Sequence, residues 1–143
     1  MKKSILLGLF AAAALLLAII PAFSSLAAPA AKPFVGGWEA VDVDGSYMKL
    51  SISGGAKDIY NVHYIDFGAS VCGKDENGQP IYSFQAKGDG VVTGYHMDVH
   101  YPAAYCMTSP KQLWGSLDGW FDYDPATDTL WDGWVTWRRT GAQ

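Results

Sequence analysis

The sequence predicts an all-β fold, an antiparallel barrel or sandwich of about eight strands held by one disulfide. Apolar and polar residues alternate with a period near two over much of the chain, which is typical of strands with one buried face. Turn-forming dipeptides separate these runs at roughly 8–12-residue spacing. The 143 residues suffice for one domain, and a composition of 50% hydrophobic, 14% aromatic and 17% charged residues excludes intrinsic disorder.

The N-terminal segment has the pattern of a secretory signal peptide. Two lysines precede an uncharged apolar run over residues 5–20, and a proline ends the run. Residues 28–30 (Ala-Pro-Ala) or 25–27 (Ser-Leu-Ala) offer the small side chains that signal peptidase accepts. We therefore expect a signal peptide over residues 1–30.

The mature protein would be a single β domain over residues 31–143, with a core at about 34–140. The apolar run has 16 residues, fewer than the roughly 18–20 of a spanning helix, so we expect no stable membrane span after cleavage. A retained N-terminal anchor is the alternative. The expected location is secreted, either extracellular or periplasmic.

Charge narrows the classes of partner. Cleavage would remove two of the 10 Lys and Arg residues and none of the 14 Asp and Glu residues, leaving a net charge of 8 − 14 = −6. An acidic domain without a basic cluster does not suit a nucleic acid, so we expect no nucleic-acid partner.

The two cysteines predict a disulfide. Cys72 and Cys106 are the only two in the chain, and an oxidising compartment favours their pairing. A bridge across 34 positions restricts the unfolded chain by about 4 kcal/mol in the loop-entropy model. A reactive thiol or a metal ligand is the alternative, but neither has a partner at a suggestive spacing.

Each predicted strand follows from a local pattern. Residues 47–52 alternate between polar and apolar side chains. Runs rich in β-branched and aromatic residues follow at 59–66, 81–86 and 91–101. Predicted turns lie at Asp44-Gly45, Gly54-Gly55, Asn77-Gly78, Gly88-Asp89-Gly90 and Asp124-Pro125. No helical periodicity persists for two or three turns, so we expect at most one short helix.

The two ends of the domain resemble those of calycins, the group that includes lipocalins, fatty-acid-binding proteins and avidins. Gly36-Gly37-Trp38 stands on the first predicted strand, and the last ends in Trp137-Arg138-Arg139. In calycins a Gly-x-Trp on the first strand packs beneath a basic residue of the last strand. The resemblance implies that role for Trp38 and for Arg138 or Arg139, in a small exported bacterial barrel with its ligand inside against Trp38.

The C-terminal region concentrates the tryptophans, five of the six lying within 24 residues. Strand alternation places Trp114, Asp118 and Trp120 on one face, opposite an apolar set that includes Leu113 and Phe121, which we expect in the core. In the next strand Trp131 and Trp137 would share one face, with Trp134 on the other. The predicted ligand-binding residues are Trp38, Trp114, Asp118, Trp120, Trp131 and Trp134.

Exposed indole beside carboxylate suits a sugar, because the ring stacks on C–H groups and the carboxylate accepts hydroxyl hydrogen bonds. Aromatic patches also mark protein interfaces. The third interpretation is that most of these rings fill a small core.

One strand face carries His96, Asp98 and His100, which alternate with apolar residues. The outer histidines are too far apart to share one ion, so a metal site would need a ligand from elsewhere, such as His63. We expect a solvated outer face, with no metal and no cofactor. Aspartates in the predicted turns could offer oxygens to Ca²⁺, but turn formation is their commoner role.

Catalytic motifs are missing from the sequence: it has no nucleophile elbow, zinc-protease helix or phosphate loop. We therefore expect no enzyme but a secreted, non-catalytic binding protein for a small or carbohydrate ligand held by aromatic residues. The alternative is a structural or envelope-interaction protein that uses the Trp-rich face as a protein interface.

Overall fold

The chain forms a closed barrel of eight antiparallel strands, in which each strand pairs with the next and β8 pairs with β1. The computed structural model describes residues 32–141. The strands are β1 (Gly36–Val41), β2 (Tyr47–Ala56), β3 (Ile59–Asp66), β4 (Phe84–Thr93), β5 (His96–Cys106), β6 (Gln112–Asp124), β7 (Thr129–Trp131) and β8 (Thr136–Arg139). A single 3₁₀ turn, Ser70–Cys72, interrupts the connection between β3 and β4. The all-β fold class is confirmed, and the barrel is the correct one of the two predicted architectures.

The predicted signal peptide, residues 1–30, lies outside the described residues and stays a prediction. Within residues 32–141, no helix has the length and apolar character needed to cross a bilayer.

The predicted disulfide between Cys72 and Cys106 is present, with Cα atoms 5.3 Å apart. It joins the 3₁₀ turn to the last residue of β5. The long β3–β4 connection is thereby fixed against the end of the barrel where β3 finishes and β4 begins.

Strand alternation fills the barrel, because every second side chain points inward. Met48, Leu50 and Ile52 of β2 show the pattern, since each is at most 3% exposed while their neighbours face solvent. Met97 and Val99 on β5 belong with them to one contiguous apolar core. The interior is therefore a packed core over most of its length.

One end of the barrel is closed by the residues that carried the resemblance to calycins. The Arg139 guanidinium lies over the Trp38 ring, 4.0 Å from its centroid. It donates to the carbonyl oxygens of Val35 and Pro33, each at 2.7 Å. Gly36 leaves room for it, because a Cβ there would lie 2.7 Å from Arg139 Nη1. Of the two candidate arginines, Arg139 has this role, and Arg138 faces outward.

Two glycine-containing segments differ from the prediction. Residues 91–101 form no single strand: a turn between Thr93 and His96 separates β4 from β5, with Gly94 at φ 64°. The predicted turn at Gly88-Asp89-Gly90 instead lies within β4. A Cβ on Gly88 would come 2.1 Å from the His100 carbonyl oxygen, so this glycine permits close backbone approach at a bulge.

The C-terminal hairpin also differs. The predicted continuous strand breaks after Trp131, and a turn over residues 132–135 separates β7 from β8. Because of this turn, strand alternation does not relate Trp131 to Trp137. Trp131 is 43% exposed, whereas Trp137 is fully buried. The two rings do not share a face, contrary to the prediction.

Candidate ligand-binding cavity

A cavity of about 420 Å³ opens at the end of the barrel opposite Trp38 and Arg139. It exists because β6 is longer than its neighbour on one side. Only Asp122, Tyr123 and Asp124 of β6 pair with β7, so the strand continues past β7 with β5 as its single partner among the described strands. The gap beside residues 112–121 leaves the interior accessible there.

The floor of the cavity is aromatic. Trp137 is fully buried, and its ring meets those of Tyr64 and Phe121 edge-on at centroid distances of 6.0 and 6.1 Å. Phe84 meets Tyr64 in the same manner, 6.2 Å away. Tyr101 completes the floor.

Three further tryptophans form the rim: Trp114, Trp120 and Trp134. Trp134 is 79% exposed and Trp114 is 52% exposed, whereas Trp120 is half-buried. Indole rings left in water cost free energy that burial against a ligand would recover. The rim is therefore an exposed aromatic surface beside an accessible cavity.

A pair of bulges brings Trp114 to the rim. The pairing of β5 with β6 shifts between Tyr101 and Ala104 and again between Ala104 and Tyr105, and Trp114 is the unpaired residue of the second shift. Its ring then packs edge-on against Phe84, 5.6 Å away. The same shift leaves Leu113 61% exposed, so its predicted place in the core is wrong.

Asp132 fixes the turn that carries Trp134. Its Oδ1 accepts from the backbone N–H groups of Trp134 and Val135, both at 2.9 Å. Its Oδ2 accepts from the Trp137 indole N–H at 2.8 Å. One carboxylate therefore connects the cavity floor to its rim.

Trp120 is held from two sides. Its ring stacks on His96, with 5.8 Å between centroids and 26° between planes. The backbone of Gly133 lies close to the six-membered part of the ring, where a Cβ would come 3.1 Å from Cζ2. Gly133 also has φ 95°, a conformation that glycine adopts without strain.

Four carboxylates, those of Asp42, Asp66, Asp118 and Asp132, border the cavity. Asp66 ends β3 on the inner face and is 5% exposed. Burial raises the pKa of Asp66, and the Gly68 N–H, which donates to its Oδ1 at 3.0 Å, opposes that rise only in part. Burial also raises the pKa of the Tyr64 hydroxyl, and the charge of Asp66 adds to the effect.

The structure brings four of the six predicted ligand-binding residues together at this cavity: Trp114, Asp118, Trp120 and Trp134. The other two lie elsewhere. Trp38 is fully buried at the closed end, and its indole N–H donates to the Phe34 carbonyl oxygen. Trp131 lies outside the cavity lining, on the outer side of β7.

Sequence reasoning missed Asp66, Asp132 and the aromatic floor. A signal for Asp66 was available, because it continues the inward series of Tyr60, Val62 and Tyr64 with a charged residue. The position of Asp132 depends on a turn that the alternation pattern concealed.

The histidines of β5 pair with carboxylates of β6 on the outer face. His96 Nδ1 lies 2.6 Å from Asp122, and His100 Nδ1 lies 2.6 Å from Asp118. The hydrogen bond that the His96 ring donates to Asp122 raises the pKa of His96 above its ordinary value. Within the described part of the chain, no three His, Cys, Asp or Glu side chains are grouped closely enough to hold a metal ion.

The chain matches no family model, no curated protein and no solved structure. The chemistry of the cavity itself is therefore the basis for its interpretation.

Proposed function

We propose that this protein is a secreted, non-catalytic binding protein that holds a small ligand in the cavity at the open end of its barrel. The observation that carries the proposal is the rim of Trp114, Trp120 and Trp134 above an aromatic floor. These rings lie beside about 420 Å³ of accessible space, within the roughly 300–1,000 Å³ of known small-molecule sites.

The closed end of the barrel supports a calycin-like assignment. The contact of Arg139 with Trp38 matches the arrangement that the resemblance implied, and the barrel is compatible with it. The site we propose differs from the one the resemblance implied, because a ligand would contact Trp137 and Tyr64 rather than Trp38.

A second candidate function is an envelope or structural role through protein contact. The observation that favours it is Trp131, which is 43% exposed and lies away from the cavity. An exposed indole away from the cavity is typical of protein interfaces. Concentration-dependent self-association in sedimentation, with no response to small ligands, would support this alternative.

Tryptophan fluorescence tests the proposed function. We expect titration with soluble oligosaccharides or small apolar ligands to change the emission of the wild-type protein. Trp134→Ala and Trp114→Ala should weaken binding about tenfold or more, since each removes a large aromatic contact. Trp131→Ala is the matched control, because it removes an exposed indole outside the cavity. Equal losses in all three variants would contradict the cavity as the site.

A further inference from the structure

The charges around the cavity have one sign. Its lining includes the carboxylates of Asp42, Asp66, Asp118 and Asp132, and no Lys, Arg or His of the described residues belongs to it. Among residues 32–141, the only basic side chain hydrogen-bonded to one of these carboxylates is His100, which bonds Asp118 from the outer face. A ligand that enters experiences a negative potential focused by apolar walls.

Most of these carboxylates retain hydrogen-bonding capacity. Asp132 uses both oxygens for the turn and for Trp137. Asp66 accepts one hydrogen bond, from Gly68, and Asp118 accepts one, from His100. Oδ2 of Asp66 and of Asp118 therefore accepts no hydrogen bond of good geometry among residues 32–141, although the Ser46 hydroxyl lies close enough to Asp66 to lower its pKa.

Asp66 is the carboxylate of this cavity that is most deeply buried. It is the one buried charged side chain of the described residues. A buried carboxylate normally has a cation or several donors as partners, because its desolvation is costly. Beside it the Ser46 hydroxyl, which also lowers the pKa of Asp66, is buried without a hydrogen-bond partner of acceptable geometry. Asp66 therefore has the capacity to accept from a ligand donor in addition to its contacts with Gly68 and Ser46.

The aromatic rings of the cavity also favour a cationic ligand. Elsewhere in this barrel, cations lie on ring faces: Lys111 Nζ is 3.5 Å from the Tyr105 centroid, and Arg139 covers Trp38 at 4.0 Å. Among the described residues, no cation covers a ring that lines the cavity. Indole is the ring that attracts cations most strongly, and four indoles line this site.

We propose that the ligand is a small organic cation, a primary ammonium on an apolar or aromatic body. The inference rests on the proposed function and names its ligand class. The ammonium donates to the free oxygen of Asp66, and the body packs between the rings of Trp137 and the rim tryptophans. Carboxylate-bearing compounds are repelled, and neutral sugars bind more weakly than the amine.

Calorimetric titration with three compounds of one skeleton tests the charge preference. The probes are 2-phenylethylamine, 2-phenylethanol and phenylacetate, which are cationic, neutral and anionic at pH 7. We expect the amine to bind at least about tenfold more tightly than the alcohol, and the acid to give no measurable heat. Asp66→Asn should reduce the preference for the amine over the alcohol to within about twofold.

Two variants at exposed positions extend the calorimetric test beyond the buried Asp66. Asp89→Asn, on the exposed outer face of β4, removes the same charge and should change nothing. Asp118→Asn, whose side chain is 83% exposed, should weaken amine binding severalfold without endangering the fold.

The results separate the two proposals. Equal binding of amine and alcohol, or an unchanged preference in Asp66→Asn, overturns the cation inference and leaves the cavity as a binding site. If none of the three compounds binds, the inference is also overturned, and the fluorescence titration with sugars and apolar ligands then decides whether the proposed function survives.

Discussion

The carboxylate of Asp66 is removed from water by its position in the barrel. It lies on the inner face of β3, where the preceding inward residues are Val62 and Tyr64. An apolar residue there would continue the core, so the carboxylate lowers stability unless it is neutralised or paired. A charge that costs stability at a cavity suits a residue kept for binding.

Asp66→Asn should therefore stabilise the free protein at pH 7, by about 1 kcal/mol. The folded-state pKa of Asp66 is raised from 3.8, so the native protein holds this proton more tightly than the unfolded chain. Wild-type stability falls as the pH rises through that raised pKa, and the variant lacks this fall. Urea denaturation at pH 7 and at about pH 3.5 should show a larger gain at pH 7. A loss of stability at pH 7 would contradict the argument.

Arg139 closes the barrel end that contains Trp38. Arg139→Ala leaves the carbonyls of Val35 and Pro33 without their donor and removes the ion pair with Asp128. The free energy of unfolding should drop by about 2–4 kcal/mol in chemical denaturation.

The neighbouring Arg138→Ala is the control. Its side chain faces outward, and we expect a change within about 0.5 kcal/mol. Similar effects of the two substitutions would show that the closed end does not depend on Arg139.

At the scale of the elements, the sequence pattern predicted β3 to the residue, because regular alternation over residues 59–66 has no bulge inside it. It failed where glycine has two possible roles. Gly88 and Gly94 have the same chemistry, yet one allows a close backbone approach and the other forms a turn. The neighbouring strand decides between these roles, and a single sequence does not contain that neighbour.

The residues of the cavity were likewise predictable only in part from the local pattern. The tryptophans and Asp118 were predictable from composition and parity, whereas the placement of Trp114 depends on a bulge and that of Trp134 on a turn held by Asp132. Both are consequences of pairing register, which local patterns do not specify.

The disulfide makes a prediction for the β3–β4 connection. Replacing both Cys72 and Cys106 by Ser should cost about 4 kcal/mol in the free energy of unfolding, since the bridge closes a loop of 34 positions. Ligand binding should weaken as well, because Ala69 and Val71 of this connection line the cavity. Denaturation with and without reductant measures the effect, and reductant should leave the double variant unchanged. A stability loss under 1 kcal/mol would contradict this role.

At the scale of the whole molecule, the barrel has two unlike ends. Arg139 and Trp38 seal one of them, and the long β6 leaves the other open among aromatic rings and carboxylates. The six tryptophans divide accordingly into two that the core buries and four that it leaves partly accessible. Three of those four form the rim, which is the physical basis for assigning a binding role to this end.

The most direct measurement is two-dimensional NMR of the six indole N–H groups of the ¹⁵N-labelled protein during titration with 2-phenylethylamine, an oligosaccharide and an apolar ligand. With the ligand that binds, the signals of the four cavity tryptophans should shift with one common dissociation constant, while those of Trp38 and Trp131 stay in place. Shifts at Trp38 or Trp131 with the cavity signals unmoved, or no shift with any of the probes, would contradict a ligand site at the open end.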